Sequence, residues 1–301
     1  MTLSGDQYEI SAGPYEAVVT EQGGGLRTLL YDDRPLILSY DADEPVPAAA
    51  GQLLAPWPNR IDHGRYSFGG EAHSLPINEG ELDNAIHGLV RFASWRVAEH
   101  EASRVRLTHR LLGESGYPFR LDLTVEYSID AEGGLTVRQS ARNAGSRVAP
   151  YGHGAHPYLT LERPLDECEL LVTAGRYLDI DDRAIPARES RDVADSPYDF
   201  RAPRRIGTTA INNPYTALLR DDDGRAWVRL RDGERSVALW ADAGHPWLEV
   251  YTRDEVTDET WRTGLGAEPM TCPPNSFVTG IDLIALKPGE EASGQWGITA
   301  R

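Results

Sequence analysis

The stretch WVRLRDGERSVALWA, 227–241, leaves little freedom of fold. Asp232-Gly233 stands between two runs that alternate apolar and polar residues. That pattern is the strongest short-range signal of a β-hairpin. The same period recurs in LDLTVEYSI, 121–129. Leu121, Leu123, Val125, Tyr127 and Ile129 share one face, and Asp122, Thr124, Glu126 and Ser128 the other, as in a half-buried strand. VRLTH before it and LTVRQSA after it read alike, with Gly133-Gly134 as a turn. YEAVVTEQGGGLRTLLY, 15–31, carries a glycine run between apolar segments, which predicts a bend or bulge.

Helical signals are thin. No segment longer than about ten residues keeps a clean 3.6-residue period. Twenty prolines interrupt most candidates. The expected fold is all-β, a large antiparallel β-sandwich with few or no helices. One domain over 1–301 is expected, because an all-β unit of this length needs no division. Residues 185–205, rich in Pro, Arg, Asp and Ser, read as a long loop rather than a boundary.

Charge narrows the partners. With 47 acidic against 30 basic residues, the net charge is -17. Nucleic acid is not an expected partner, since phosphates need basic patches. Anionic membranes are disfavoured too. The opening residues MTLSGDQYEISAG lack a basic start and an apolar run, so no secretory signal is expected. No window approaches the roughly 18 apolar residues of a spanning helix. The expected location is the cytoplasm. Cys168 and Cys272 form no disulfide framework or zinc spacing and read as packing residues. No feature specifies an oligomer.

Several polar residues stand where chemistry is worth weighing. GGGLR, 23–27, and GLG, 264–266, lack the strand-to-helix context of phosphate loops and read as turns. Asn59-Arg60, beside Pro58, offers fixed donors and an acceptor that suit a polyhydroxyl ligand, though on residue type alone a turn asparagine and a surface arginine are the leading reading. His87, in NAIHGLV, fits either a buried neutral histidine or a site residue. Glu268, in GLGAEPMTCPP, stands among small and apolar residues. A carboxylate there is costly unless paired or functional, and desolvation would raise its pKa towards that of a general base. His153 and His156, in YGHGAHPYL, are three apart, which in a regular strand sends them to opposite faces. No third ligand lies near, so no metal site is expected. No G-x-S-x-G elbow is present.

In order, Asn59-Arg60, His87-Gly88, His156-Pro157-Tyr158 and Glu268 resemble the aldose 1-epimerase, or galactose mutarotase, family. The forms APWPNR, AIHGLVR, GAHPYL and AEPMTCPP are similar to its bacterial branch. The resemblance implies a single large β-sandwich with a sugar-binding cleft. It implies an isomerase that interconverts the α and β anomers of a free aldose, without cofactor or metal. It assigns Glu268 as the base for the C1 hydroxyl and His156 as the acid for the ring oxygen. His87 assists. Asn59 and Arg60 bind hydroxyls, and Tyr158 forms a wall or hydroxyl partner. Asn212 stands where the family usually has an acidic residue, so a charged acceptor becomes a neutral one. His153 matches no catalytic position and reads as a packing residue or as one that supports the site from behind. Two other readings remain. One is an epimerase for a phosphorylated or sulfonated sugar, with Arg65 and Arg91 as extra cations. The other is a non-catalytic carbohydrate-binding module, to which Asn212 points.

Overall fold

The computed structural model describes residues 2–187, 189–254 and 262–301. Its main feature is a pair of large antiparallel sheets. The nine-stranded sheet runs in the order Arg96–Glu101, Arg104–Leu111, Leu121–Asp130, Gly134–Asn143, Glu291–Ala300, Arg235–Ala241, Ala226–Asp232, Glu169–Val172 and Arg204–Arg205. The second sheet has eight strands. Its path is Arg191–Asp192, Ala174–Tyr177, Asn212–Leu218, Trp247–Tyr251, Leu265–Met270, Gly154–Ala155 and Leu53–Leu54, with Tyr158–Leu159 also paired to Leu265–Met270. A four-stranded sheet begins at Gln7–Ala12. Among the described residues the α-helix is a single turn, Ser276–Thr279. No helix among them is long and apolar enough to cross a membrane.

The alternation seen in the sequence is the alternation of burial. Leu121, Leu123, Val125, Tyr127 and Ile129 are buried, while Asp122, Thr124, Glu126 and Ser128 are partly exposed. The buried set joins Leu248, Val250, Leu265 and Ala267 of the second sheet in one hydrophobic core. Period 2 does this work, because successive side chains leave opposite faces of a strand.

The turns follow local chemistry. In the 121–143 hairpin Asp130 pairs with Gly134, and the Asp130 carboxylate accepts from the Glu132 and Gly133 amides at 3.0 and 2.8 Å. The 226–241 hairpin turns one residue later than the Asp-Gly expectation. Asp232 pairs with Arg235, so the two loop residues are Gly233 and Glu234. Only the first has positive φ, 61°, which fits a II′ turn rather than I′. The glycine run at 23–25 does accompany a register shift, between Val18 and Val19. The 185–205 region is mostly loop with two-residue strands at Arg191–Asp192 and Arg204–Arg205; Arg188 lies outside the described residues.

The second sheet is buried on both faces at its centre. All six residues of Leu265–Met270 are buried. Leu265 and Ala267 turn into the main core. Gly266, Glu268 and Met270 therefore turn the other way. That outer face carries the candidate site.

Candidate active site

Register collects the polar residues on this face. Glu268 lies opposite Glu249, and Gly266 lies opposite Tyr251. Tyr251 in turn lies opposite Asn212, one strand further out. On the other flank Tyr158 lies opposite Gly266. Opposed residues of an antiparallel pair share a face. Asn212, Glu249, Tyr251, Tyr158 and Glu268 thus stand on one side of the sheet.

His156 follows the short Gly154–Ala155 strand. Its backbone amide donates to the Gln52 carbonyl at 3.0 Å, and its carbonyl accepts from Gly51 at 2.9 Å. So fixed, its Nε2 lies 3.2 Å from Glu268 Oε1. The two remaining polar atoms, His156 Nδ1 and Glu268 Oε2, are buried with no hydrogen-bond partner. The ring leans on Tyr158, centroids 4.8 Å apart. The Tyr158 hydroxyl donates to the Ala48 carbonyl at 3.2 Å, and the Arg253 guanidinium lies 5.8 Å from its ring centroid.

The other two motifs meet across a loop. Asn59 and His87 exchange a reciprocal contact. The His87 amide donates to the Asn59 carbonyl at 2.9 Å. The Asn59 amide donates to His87 Nδ1 at 3.2 Å. An N–H at Nδ1 cannot accept, so the neutral ring carries its proton on Nε2. Both residues have positive φ, 52° and 62°. The His87 ring meets His156 edge-on at 5.1 Å. Asn59 Oδ1 accepts from the Arg60 amide at 2.9 Å. Arg60 makes a forked pair with Glu79, at 2.9 Å from Nε and 2.8 Å from Nη2. Asn84 then donates to Glu79 at 3.0 Å.

Gly88 explains why glycine follows His87. Its φ is +72°, and a Cβ there would lie 2.0 Å from the Ala55 carbonyl oxygen. We expect Gly88→Ala to destabilise the fold by about 3 kcal/mol or more, through strain and displacement of the His87 loop. Thermal unfolding measures this. A midpoint within a degree or two of wild type would contradict it.

Electrostatics divide the site. Burial first, then the charges of Arg91, Arg60 and Arg253, push His156 down to about 3. Burial pushes Glu268 up to about 8, with Arg60 opposing. Burial likewise holds His87 well below its ordinary value. The resting pair is thus neutral, with the proton between the two on the glutamate.

Asn59, Arg60, His87, His156, Tyr158 and Glu268 are brought together, and Asn212 lies on the same sheet face. Of the two extra cations, Arg91 is half-buried and acts on both histidines. Arg65 is exposed on the Arg65–Phe68 strand. His153 is separate. Fully buried, it packs edge-on against His245 at 5.1 Å and near Tyr151. Burial raises both cysteine thiols to about 11, in keeping with inert packing. Sequence reasoning missed Glu79, Glu249 and Arg253. Glu249 stood in WLEVY, a carboxylate among apolar residues, which is the signal that singled out Glu268. Glu79, in a polar loop, gave none.

A family model described as aldose 1-epimerase matches residues 6–299. The Escherichia coli (strain K12) protein YihR, described as uncharacterized, is 35% identical over 96% of this chain and 92% of its own. A galactose mutarotase of Sus scrofa is 31% identical over 80% of this chain and 75% of its own. The crystal structure of a GalM/aldose epimerase homologue from C. elegans superposes with a TM-score of 0.88 at 17% identity, covering 98% of each chain. That likeness bears on the fold.

Proposed function

We propose, for a chain that belongs to the aldose 1-epimerase family, that it is an aldose mutarotase acting as one domain over 1–301. The observation that carries the reading is the 3.2 Å contact between His156 Nε2 and Glu268 Oε1. It brings an acid and a base to one spot, each with a second atom unpartnered. A hemiacetal needs both at neighbouring oxygens. The substrate's C1–O5 unit replaces the contact between them. With the pair's proton moved from Glu268 to His156, the Glu268 carboxylate takes the proton of the C1 hydroxyl. The C1–O5 bond breaks as the carbonyl forms, and His156 gives a proton to the ring oxygen. Rotation about C1–C2 presents the other face of the carbonyl. Closure returns each proton to its donor, so none is consumed. His87 assists by donating from Nε2, and Arg60 and Asn59 hold hydroxyls. Asn212 and Tyr158 line the substrate's other side.

The pH dependence follows from counting protons. The neutral pair and the pair with Glu268 ionised and His156 charged hold the same number, and only that number supplies both an acid and a base. Gaining one proton leaves no base, and losing one leaves no acid. With apparent values of about 3 and about 8, kcat/KM should be flat through the mildly acid to neutral range. It should fall as pH rises through about 8. Anomer exchange followed by NMR at a series of pH values checks this. A rate that climbs through pH 8 would mean that Glu268 works alone as a base.

One observation favours a second reading, a sugar bearing an anionic group. Arg91 stands half-buried beside both histidines and makes no ion pair among the described residues. Hexose 6-phosphates assayed beside free hexoses separate the two. Faster exchange of the charged sugars, lost in Arg91→Gln, would select the anionic substrate.

A further inference from the structure

Glu249 is the buried carboxyl for which the mechanism above has no task. It lies on the Trp247–Tyr251 strand directly opposite Glu268. Such pairs hold their Cβ atoms about 5 Å apart. Leu248 and Val250 beside it turn into the main core, so Glu249 turns with Glu268 into the site. It is 2% exposed. It makes no hydrogen bond or ion pair among the described residues, yet its oxygens are not among the sealed, unpartnered atoms that include Glu268 Oε2. The carboxyl thus keeps its hydrogen-bonding capacity unspent among the described residues, on the sheet face that carries Glu268.

Few charges reach it. Glu268 faces it from the adjacent strand, with His156 behind. On its other side the opposed residue is Pro214, which carries none. Tyr215, next along that strand, is a neutral phenol in its field. Tyr251 is the neighbour on its own strand. Arg60 is the cation acting on both glutamates, and Glu79 already chelates it. Two buried carboxylates cannot both stay ionised against one shared, half-neutralised cation. Burial, and then the charge of Glu268, hold Glu249 well above the usual carboxylate range.

We propose that Glu249 meets the substrate as a neutral carboxylic acid, donating and accepting hydrogen bonds with a sugar hydroxyl beside the His156–Glu268 pair. The proposal rests on the mutarotase reading. A neutral acid and a carboxamide each offer one donor side and one acceptor side, so glutamine imitates it. Leucine fills similar space and does neither. Glu249→Gln should lower kcat/KM for D-glucose or D-galactose anomer exchange by a few-fold. Glu249→Leu should lower it by a further ten- to hundred-fold, roughly the effect of stranding a substrate hydroxyl. Equal losses in the two variants would mean that the group works ionised. A harmless leucine would mean that it touches nothing. Either result overturns the proposal.

A second measurement needs no turnover. In protein labelled with 13C at glutamate carboxyls, the Glu249 resonance is the one absent from Glu249→Gln. It should report a protonated carboxyl at pH 7, and in Glu268→Gln it should titrate at lower pH than in wild type. An ionised Glu249 at pH 7 overturns the proposal even if the leucine variant does not fold. If the wild type exchanges no sugar, the mutarotase reading falls, and this titration still decides the protonation on its own.

Discussion

Glu268→Gln is expected to reduce catalysed anomer exchange by about 10³-fold or more while leaving the fold intact. Glutamine keeps the shape of the side chain and can still bond to His156 Nε2. It cannot take a proton from the C1 hydroxyl at any working pH. The fold should tolerate the change because Glu268 is a buried carboxyl that contributes a cost rather than a gain. Its 2% exposure and unpartnered Oε2 leave an ionised form poorly solvated. Thermal unfolding of the variant should match or slightly exceed wild type. Retained exchange in a folded Glu268→Gln protein would remove the residue from the mechanism.

The second large effect is an asymmetry between two histidines three residues apart. His156→Ala should cost about 10²- to 10³-fold in kcat, because it deletes the acid and strands Glu268. His153→Phe should leave most of the rate per folded molecule. His153 packs with Tyr151 and His245, and no contact joins it to His156 among the described residues. Both its ring nitrogens are buried without partners, so an apolar ring removes an unmet hydrogen-bonding demand. Overpacking offsets this, at about 1–3 kcal/mol. Rates normalised to folded protein make the comparison. Equal large losses would show that the two act together.

The architecture was legible because period 2 is written into long strands such as Leu121–Asp130. Residues 121–129 alternate in sequence as they do in burial. The error at 232–234 was one residue, since the choice between I′ and II′ turns on which position takes positive φ. Much of the site could also be read. Glu268 declared itself as a carboxylate among apolar residues, whereas the role of Gly88 in the His87 loop emerged only with the Ala55 carbonyl in place. What could not be read was pairing across the sheet. Glu249 lies 19 residues from Glu268, and only the register of the two strands makes them neighbours. Glu79 reaches Arg60 from a polar loop with no pattern of its own. The same register carries Asn212 onto the site face, two strands from Glu268.

The central claim is that this site opens and closes a sugar hemiacetal. The most direct measurement is anomer exchange by NMR with the wild-type protein, over free hexoses, pentoses and hexose 6-phosphates near neutral pH. The account predicts exchange well above the uncatalysed rate for at least one of these sugars, and loss of that excess in Glu268→Gln. Exchange at the uncatalysed rate for every sugar, with tight sugar binding by calorimetry, would instead mark a non-catalytic carbohydrate-binding protein and contradict the claim.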